Sequence, residues 1–201
     1  AQNSSVIIAS EEYNSSVVFL ASGALTLTTR LAVEPNPVGL SLSADESTLY
    51  VTSQRRASGS IVCSAEGSFP IGAVSKIAVS GPSVTTTADA GCSPVRVTND
   101  GTYLYVTVRG DDTVKVFAMS NMALSATVST SYDPVGIVYN GYMNVVNSAR
   151  FSGSPSLFQY TTGSGTLYYQ QSVSTGDVPR EVVVSPDGNL IAVVNTGPNT
   201  Q

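Results

Sequence analysis

Along the chain, apolar and polar residues alternate in runs of about five to seven, broken by Gly, Asp, Asn and Pro, which is the period-2 pattern of half-buried strands. Four segments share one layout, in which a Pro opens a β-type run and a turn leads into a second run. They are PVGLSLSADESTLYVTSQ from Pro37, PVRVTNDGTYLYVTVRG from Pro94, PVGIVYNGYMNVVNSA from Pro134 and PREVVVSPDGNLIAVVNTG from Pro179, spaced by 57, 40 and 45 residues. A third run is expected in SGSIVCS at 58–64, DTVKVFA at 112–118 and PSLFQYT at 155–161, and a fourth in segments such as ALSATVSTS at 123–131 and TLYYQQSVSTG at 166–176. No window holds apolar residues at three-and-four spacing for long enough to predict a helix.

Four strands per roughly 40 to 45 residues is the period of a propeller blade. The chain is therefore expected to be all-β, a single β-propeller domain over 1–201 of four-stranded antiparallel blades. Blades begin at about 37, 94 and 134, with a partial blade at 1–36 and another at 179–201. The first 36 residues supply VIIASE, SSVVFLA and ALTLTTRLA, read as strands two to four of a blade. About four to five blades result, with 17 expected strands, one more than four closed blades use. Three arrangements of the ends remain open: a piece of a longer propeller, a terminal blade split or shared within one subunit, or completion by neighbouring copies. Closure or neighbour pairing is favoured, because unpaired strand edges invite another strand.

The turn between the first two strands explains its residues. Asp100-Gly101, Asn140-Gly141 and Asp187-Gly188 suit the positive φ of tight hairpins, and Asp45-Glu46 is the irregular member. Through LYVTSQ, LYVTVRGDDTVKVF and SPDGNLIAVVNTGPNT the chain resembles the YVTN-repeat β-propeller family along its whole length. That resemblance implies the blade fold; it spans surface-layer and adhesion proteins as well as lactonase and muconate-cyclase propellers, so it leaves activity open. Lactonase-type propellers use carboxylate and Asn metal ligands, or His and Arg, in a central channel; no full set matches here, and no catalytic residue is carried over.

Composition narrows the function. The net charge of -5 leaves no broad cationic surface for phosphates, so nucleic acid is not expected as a partner. The longest uncharged stretch, 151–176, is too polar for a hydrocarbon span, so membrane insertion is not expected either. Thirty Ser and twenty Thr, scarce Lys, and the sequons at Asn3 and Asn14 point to an extracellular or cell-surface protein. Such sequons also arise by chance, and Ser/Thr richness also suits strands. The repeat from Pro37 is longer than the others, with its excess assigned to 61–90, and Cys63 and Cys92 flank that excess. Their spacing favours a disulfide, with two unrelated buried thiols as the alternative.

The complete absence of His removes Ser-His and Cys-His nucleophile pairs and imidazole metal sites. Two Cys cannot build a structural zinc site, and no phosphate-binding glycine loop, nucleophile elbow or EF loop is present. No cofactor, metal or catalytic residue is expected. Glu34, Asp89, Asp133 and Asp177 recur just before the blade Pro, where they could ring one mouth as cation or acid-base groups or, more simply, serve turns. Arg96 and Arg180 start inner strands and could approach a channel.

The turn after each second strand carries Arg55 and Arg56, Arg109 and Arg150, whereas the N-terminal partial blade has Glu11 and Glu12 there. Opposite charges at equivalent positions suit contact between copies, with a solvated rim of accidental sign as the plainer alternative. Arg109-Gly110-Asp111 spells an adhesion tripeptide but is ordinary turn sequence. Tyr103, Tyr105, Tyr139, Tyr142, Tyr168 and Tyr169 could stack on sugars, although alternation places most in packing. The leading reading is a secreted, non-enzymatic propeller acting as a structural or adhesive unit, self-assembling head-to-tail into a filament or surface layer, with other copies as partners. The alternative is a lactonase-like enzyme or a glycan-binding propeller using a central channel, with surface glycans as partners.

Overall fold

The strands form where β-branched and aromatic residues alternate with polar ones, and they end where Gly, Asn or Asp takes a positive φ. The computed structural model describes residues 6–59, 61–63, 69–151 and 153–197. It resolves into two compact units, Ala1–Pro94 and Val95–Gln201. The architecture is all-β, built of antiparallel four-stranded sheets, with a single 3-10 turn at Arg109–Asp111 as the only helical element among the described residues.

In the first unit, β1 (Val6–Glu11), β2 (Ser16–Ala21) and β3 (Thr26–Ala32) form a three-stranded sheet in chain order. Next come β4 (Pro37–Leu42), β5 (Thr48–Ser53), the short β6 (Val62–Cys63) and β7 (Phe69–Pro70), then β8 (Gly72–Ala78) and β9 (Ser83–Gly91). The second sheet runs β4-β5-β8-β9, while β6 and β7 make a separate two-stranded ribbon. Val17 and Phe19 of β2 bury against Leu49 and Val51 of β5 and Ile77 of β8, joining the two sheets. Burial of each such side chain is worth roughly 1.5–3 kcal/mol.

One expectation needs correcting. The third strand of this sheet is β8, not 58–64. Gly72–Ala78 pairs with β5 from Thr48↔Ala78 to Ser53↔Ala73, whereas the expected run contributes only Val62–Cys63 to the ribbon. The physical reason is length and access. GAVSKIA matches β5 residue for residue and buries most of its positions, and Gly72 lets the strand start close against Pro94 and the Ser53 carbonyl, where any Cβ would clash. The extra residues of this repeat therefore lie between β5 and β8.

In the second unit, β10 (Pro94–Asn99), β11 (Tyr103–Val108), β12 (Thr113–Ala118) and β13 (Leu124–Ser129) form one sheet. Then β14 (Pro134–Tyr139), β15 (Met143–Asn147), β16 (Ser156–Gly163) and β17 (Thr166–Ser174) form another, and β18 (Pro179–Val184) with β19 (Ile191–Asn195) a two-stranded one. Every residue of β15 is buried, because its sheet packs on both faces. Met143, Val145 and Tyr160 meet Tyr105, Val114 and Val116 on one side, and Val146 meets Val182 on the other.

The hairpin turns follow their chemistry. Gly101, Gly141 and Gly188 have φ of 91°, 93° and 76°, with open space where a Cβ would stand, so backbone angle alone requires glycine there. Glu46 takes the same left-handed place at φ 58° and donates its N–H to the Ser43 carbonyl at 2.9 Å, as Gly188 does to Ser185.

Candidate functional site: loop ends and strand edges

In the sheets that open at Pro37 and Pro134, the loop after the second strand is tied to a carboxylate that precedes the Pro. Glu34 accepts the Ala57 N–H at 2.7 Å and lies 3.7 Å from the Arg56 guanidinium, which also bonds Asp89. Asp133 accepts the Arg150 N–H at 3.0 Å, while its own N–H donates to Asp112 at 2.8 Å. Burial raises the Asp133 carboxyl above its usual range. Glu34 and Asp133 thus fasten one end of the sheets they precede, while Asp89, before Pro94, bonds Arg56 in the loop after β5. The Arg55 guanidinium carbon stands over the Phe69 ring, 3.6 Å from its centre, a cation–π contact to β7 of the ribbon. Cys63 is joined to Cys92 by a disulfide over a sequence separation of 29, so the inserted segment is stapled to the end of β9.

The equivalent loop of the first sheet behaves differently. The Glu11 carboxylate accepts from Arg30 Nε and Nη2, at 2.7 and 2.8 Å, and from the buried Ser16 hydroxyl. These bonds hold its carboxyl down at about 2, the Arg30 hydrogen bond being the largest cause. Glu12 is exposed. Asn14 is also exposed in the following turn, while Asn3 lies outside the described residues. Arg109 opens the 3-10 turn with Gly110 and Asp111, so that tripeptide is not an extended loop tip. Arg150 places its guanidinium carbon 5.1 Å from the Phe151 ring centre.

Arg96 pairs with Glu181 of β18, another sheet-opening strand, at 2.7 Å, both side chains being about one-third exposed. Tyr105 is fully buried and donates its hydroxyl to Asp100 at 2.7 Å, and burial pushes it well above the usual phenol range. Tyr169 packs edge-on against Phe158 and Tyr160. Among the described residues, no three of His, Cys, Asp and Glu gather as a metal site, and no helix is long and apolar enough to cross a membrane.

One feature of the surface was not singled out by sequence. β17 is the outer strand of a complete sheet, nine residues long, without charge or proline and exposed from Tyr168 to Ser174. Tyr168 is 53% and Val173 59% exposed. Other outer strands carry a charge, Arg30 on β3 and Asp89 on β9, or are shorter, as β13 is at six residues.

Residues 64–134 match the family model described as "Lactonase, 7-bladed beta-propeller". No curated protein matches the sequence. Among solved structures, the Kuenenia stuttgartiensis hydrazine synthase is similar at 21% identity and TM-score 0.78, over 98% of this chain and 54% of its own. A candidate 6-phosphogluconolactonase from Bacteroides uniformis is similar at 16% and 0.69, over 90% and 56%. A Lactobacillus plantarum protein is similar at 24% and 0.65, over 90% and 55%. The chain thus spans about half the length of these structures. The likeness shows the fold, a β-propeller, and agrees with the lactonase-like resemblance of the repeats.

Proposed function

We propose that the chain acts as a secreted, non-enzymatic β-propeller, a structural or adhesive unit that joins other copies of itself through strand edges. The observation that carries this reading is the outer edge of β17. Unpaired N–H and C=O groups on a long uncharged strand template another strand, and soluble proteins normally blunt such edges with Lys, Pro or brevity. Pairing of β17 with its own copy gives a closed two-fold pair. Pairing with a different edge gives rings or open filaments, the geometry of a surface layer.

The disulfide supports an oxidising compartment. The exposed Asn14 supports a glycosylated surface. Tyr168→Lys with Gln170→Lys places two charges on the edge without touching the sheet's core. Light scattering is expected to show concentration-dependent mass for the native chain and a monomer for the variant. A native chain that stays monomeric at high concentration overturns the reading.

A lactonase-like enzyme is the second reading, favoured by the family match over residues 64–134. Acid release from a sugar lactone, above the spontaneous rate and in proportion to protein, would establish it and displace the first.

A further inference from the structure

Three sheets turn from their first to their second strand through Asp or Asn followed by Gly, and the backbone nitrogen of that Gly is held differently in one of them. Gly101 donates its N–H to Asn99 Oδ1 at 3.2 Å and Gly188 donates its own to the Ser185 carbonyl at 2.9 Å, whereas the Gly141 N–H has no acceptor among the described residues. Tyr139 stands where Asn99 stands in the earlier turn, so that acceptor is missing by sequence. Gly141 is exposed, with φ 93° and open space where a Cβ would stand, so its nitrogen is unshielded. The exposure belongs to the turn itself, because Gly101 and Thr102 are exposed too although the complete sheet β14–β17 follows theirs.

The side chain before the Gly differs as well. Asp187 accepts from the Ser185 hydroxyl and from the N–H and side chain of Asn189, which hold its carboxyl below the usual range and so ionised at neutral pH, a poor electrophile. Asn140 carries a neutral carboxamide in that place. Its Oδ1 accepts Asn144 Nδ2 at 2.9 Å, with the Tyr142 N–H at 3.4 Å, and its Nδ2 donates to the Gly188 carbonyl at 3.1 Å. Asn144 is fully buried, so this donor is in place before any charge forms on Oδ1. Fixed donors aimed at an oxygen that gains charge lower the barrier to attack on its carbon.

We infer that Asn140 is a self-modifying site, at which the Gly141 nitrogen closes on the Asn140 side chain and its amide is lost as ammonia, freeing the turn from Gly188. The Gly141 nitrogen gives up its proton to solvent hydroxide and bonds to Cγ while Oδ1 takes the negative charge. The Cγ–Nδ2 bond then breaks, and Nδ2 takes a proton from water and leaves as ammonia. Water opens the cyclic imide at either carbonyl, giving Asp or isoaspartate. The net change consumes water and releases ammonia, with no oxidant and no cofactor. Neither product keeps the Nδ2 donor and each adds a carboxylate to the turn, so the bond that links the β14–β17 sheet to the turn between β18 and β19 is lost. The inference goes beyond edge assembly and does not depend on it.

The test compares the folded chain with the same chain unfolded in urea, at one mildly alkaline pH and one temperature, by peptide mapping and mass spectrometry that separate Asn, Asp and isoaspartate at position 140. The folded chain is expected to convert Asn140 about tenfold faster, since only the fold supplies the Oδ1 donors. An equal or slower rate in the folded chain overturns the inference, because an unfolded Asn-Gly pair reacts through its sequence alone. Hydrogen exchange on Asn140→Asp reads the consequence. The amides of β18 and β19 are expected to exchange several-fold faster than in the native chain, and unchanged exchange overturns the release of the turn. Should that variant fail to fold, the converted native chain, separated by ion exchange, takes its place.

Discussion

Replacing Cys63 and Cys92 together by Ala removes the cross-link that closes the inserted segment and β6–β9. For a sequence separation of 29, the chain-entropy relation gives about 3.5 kcal/mol of stabilisation through the unfolded state. The native side adds little to offset this loss, because Cys63 is buried in a small ribbon of two-residue strands. The segment does keep other ties, Arg55 on Phe69 and Glu34 on the Ala57 N–H, so it is expected to stay in place. For a chain of this size about 3.5 kcal/mol lowers Tm by roughly 7–14 °C. Urea unfolding of the oxidised native chain, the reduced chain and the double variant measures it. Equal losses in the last two are expected, and a loss below about 0.5 kcal/mol refutes the assignment of the disulfide as the staple of the fold.

Glu46→Gly is expected to stabilise by up to about 1 kcal/mol in thermal unfolding, because the left-handed angle it now strains is the one Gly188 adopts freely. Asp133→Asn is expected to be neutral or slightly stabilising by urea denaturation. It keeps the acceptor for the Arg150 N–H, suits φ 53° and removes a half-buried charge. Asp133→Ala is expected to cost about 1–3 kcal/mol in the same assay. Glu11 and Asp45 have carboxyls lowered to about 2 by their hydrogen bonds. Their stabilisation is complete above about pH 4.5, the ordinary carboxylate range, and is lost as pH falls toward 2. Asp133, raised by burial, acts in the opposite sense, contributing below its ordinary value and losing that contribution as pH rises. A pH series of unfolding free energies is expected to fall below pH 4.5, with Glu11→Gln flattening part of that fall.

The blade layout was legible because each feature had a local cause. The run from Tyr103 to Ala118 gives both central strands, and Asp100-Gly101 gives the turn before them. The strand after the insertion was misplaced because SGSIVCS is as apolar as GAVSKIA. Only the residue-for-residue pairing of β5 with β8 distinguishes them. Charges were legible as positions and not as partners. Arg96 stands out in the sequence as an inner-strand residue, but its partner Glu181, 85 residues away, does not. Asn144, Gln159 and Gln171 likewise become neighbours across β15, β16 and β17 only through strand register and a bulge. The edge of β17 carried a signal that could have been read, namely TLYYQQSVS without one charge or proline.

The central claim is that copies join through the β17 edge, and static light scattering across a concentration series tests it most directly. The mass of the native chain is expected to rise with concentration and that of the Tyr168→Lys, Gln170→Lys variant to stay at 20.8 kDa. A native mass fixed at the monomer value throughout, or identical growth in both proteins, would contradict it.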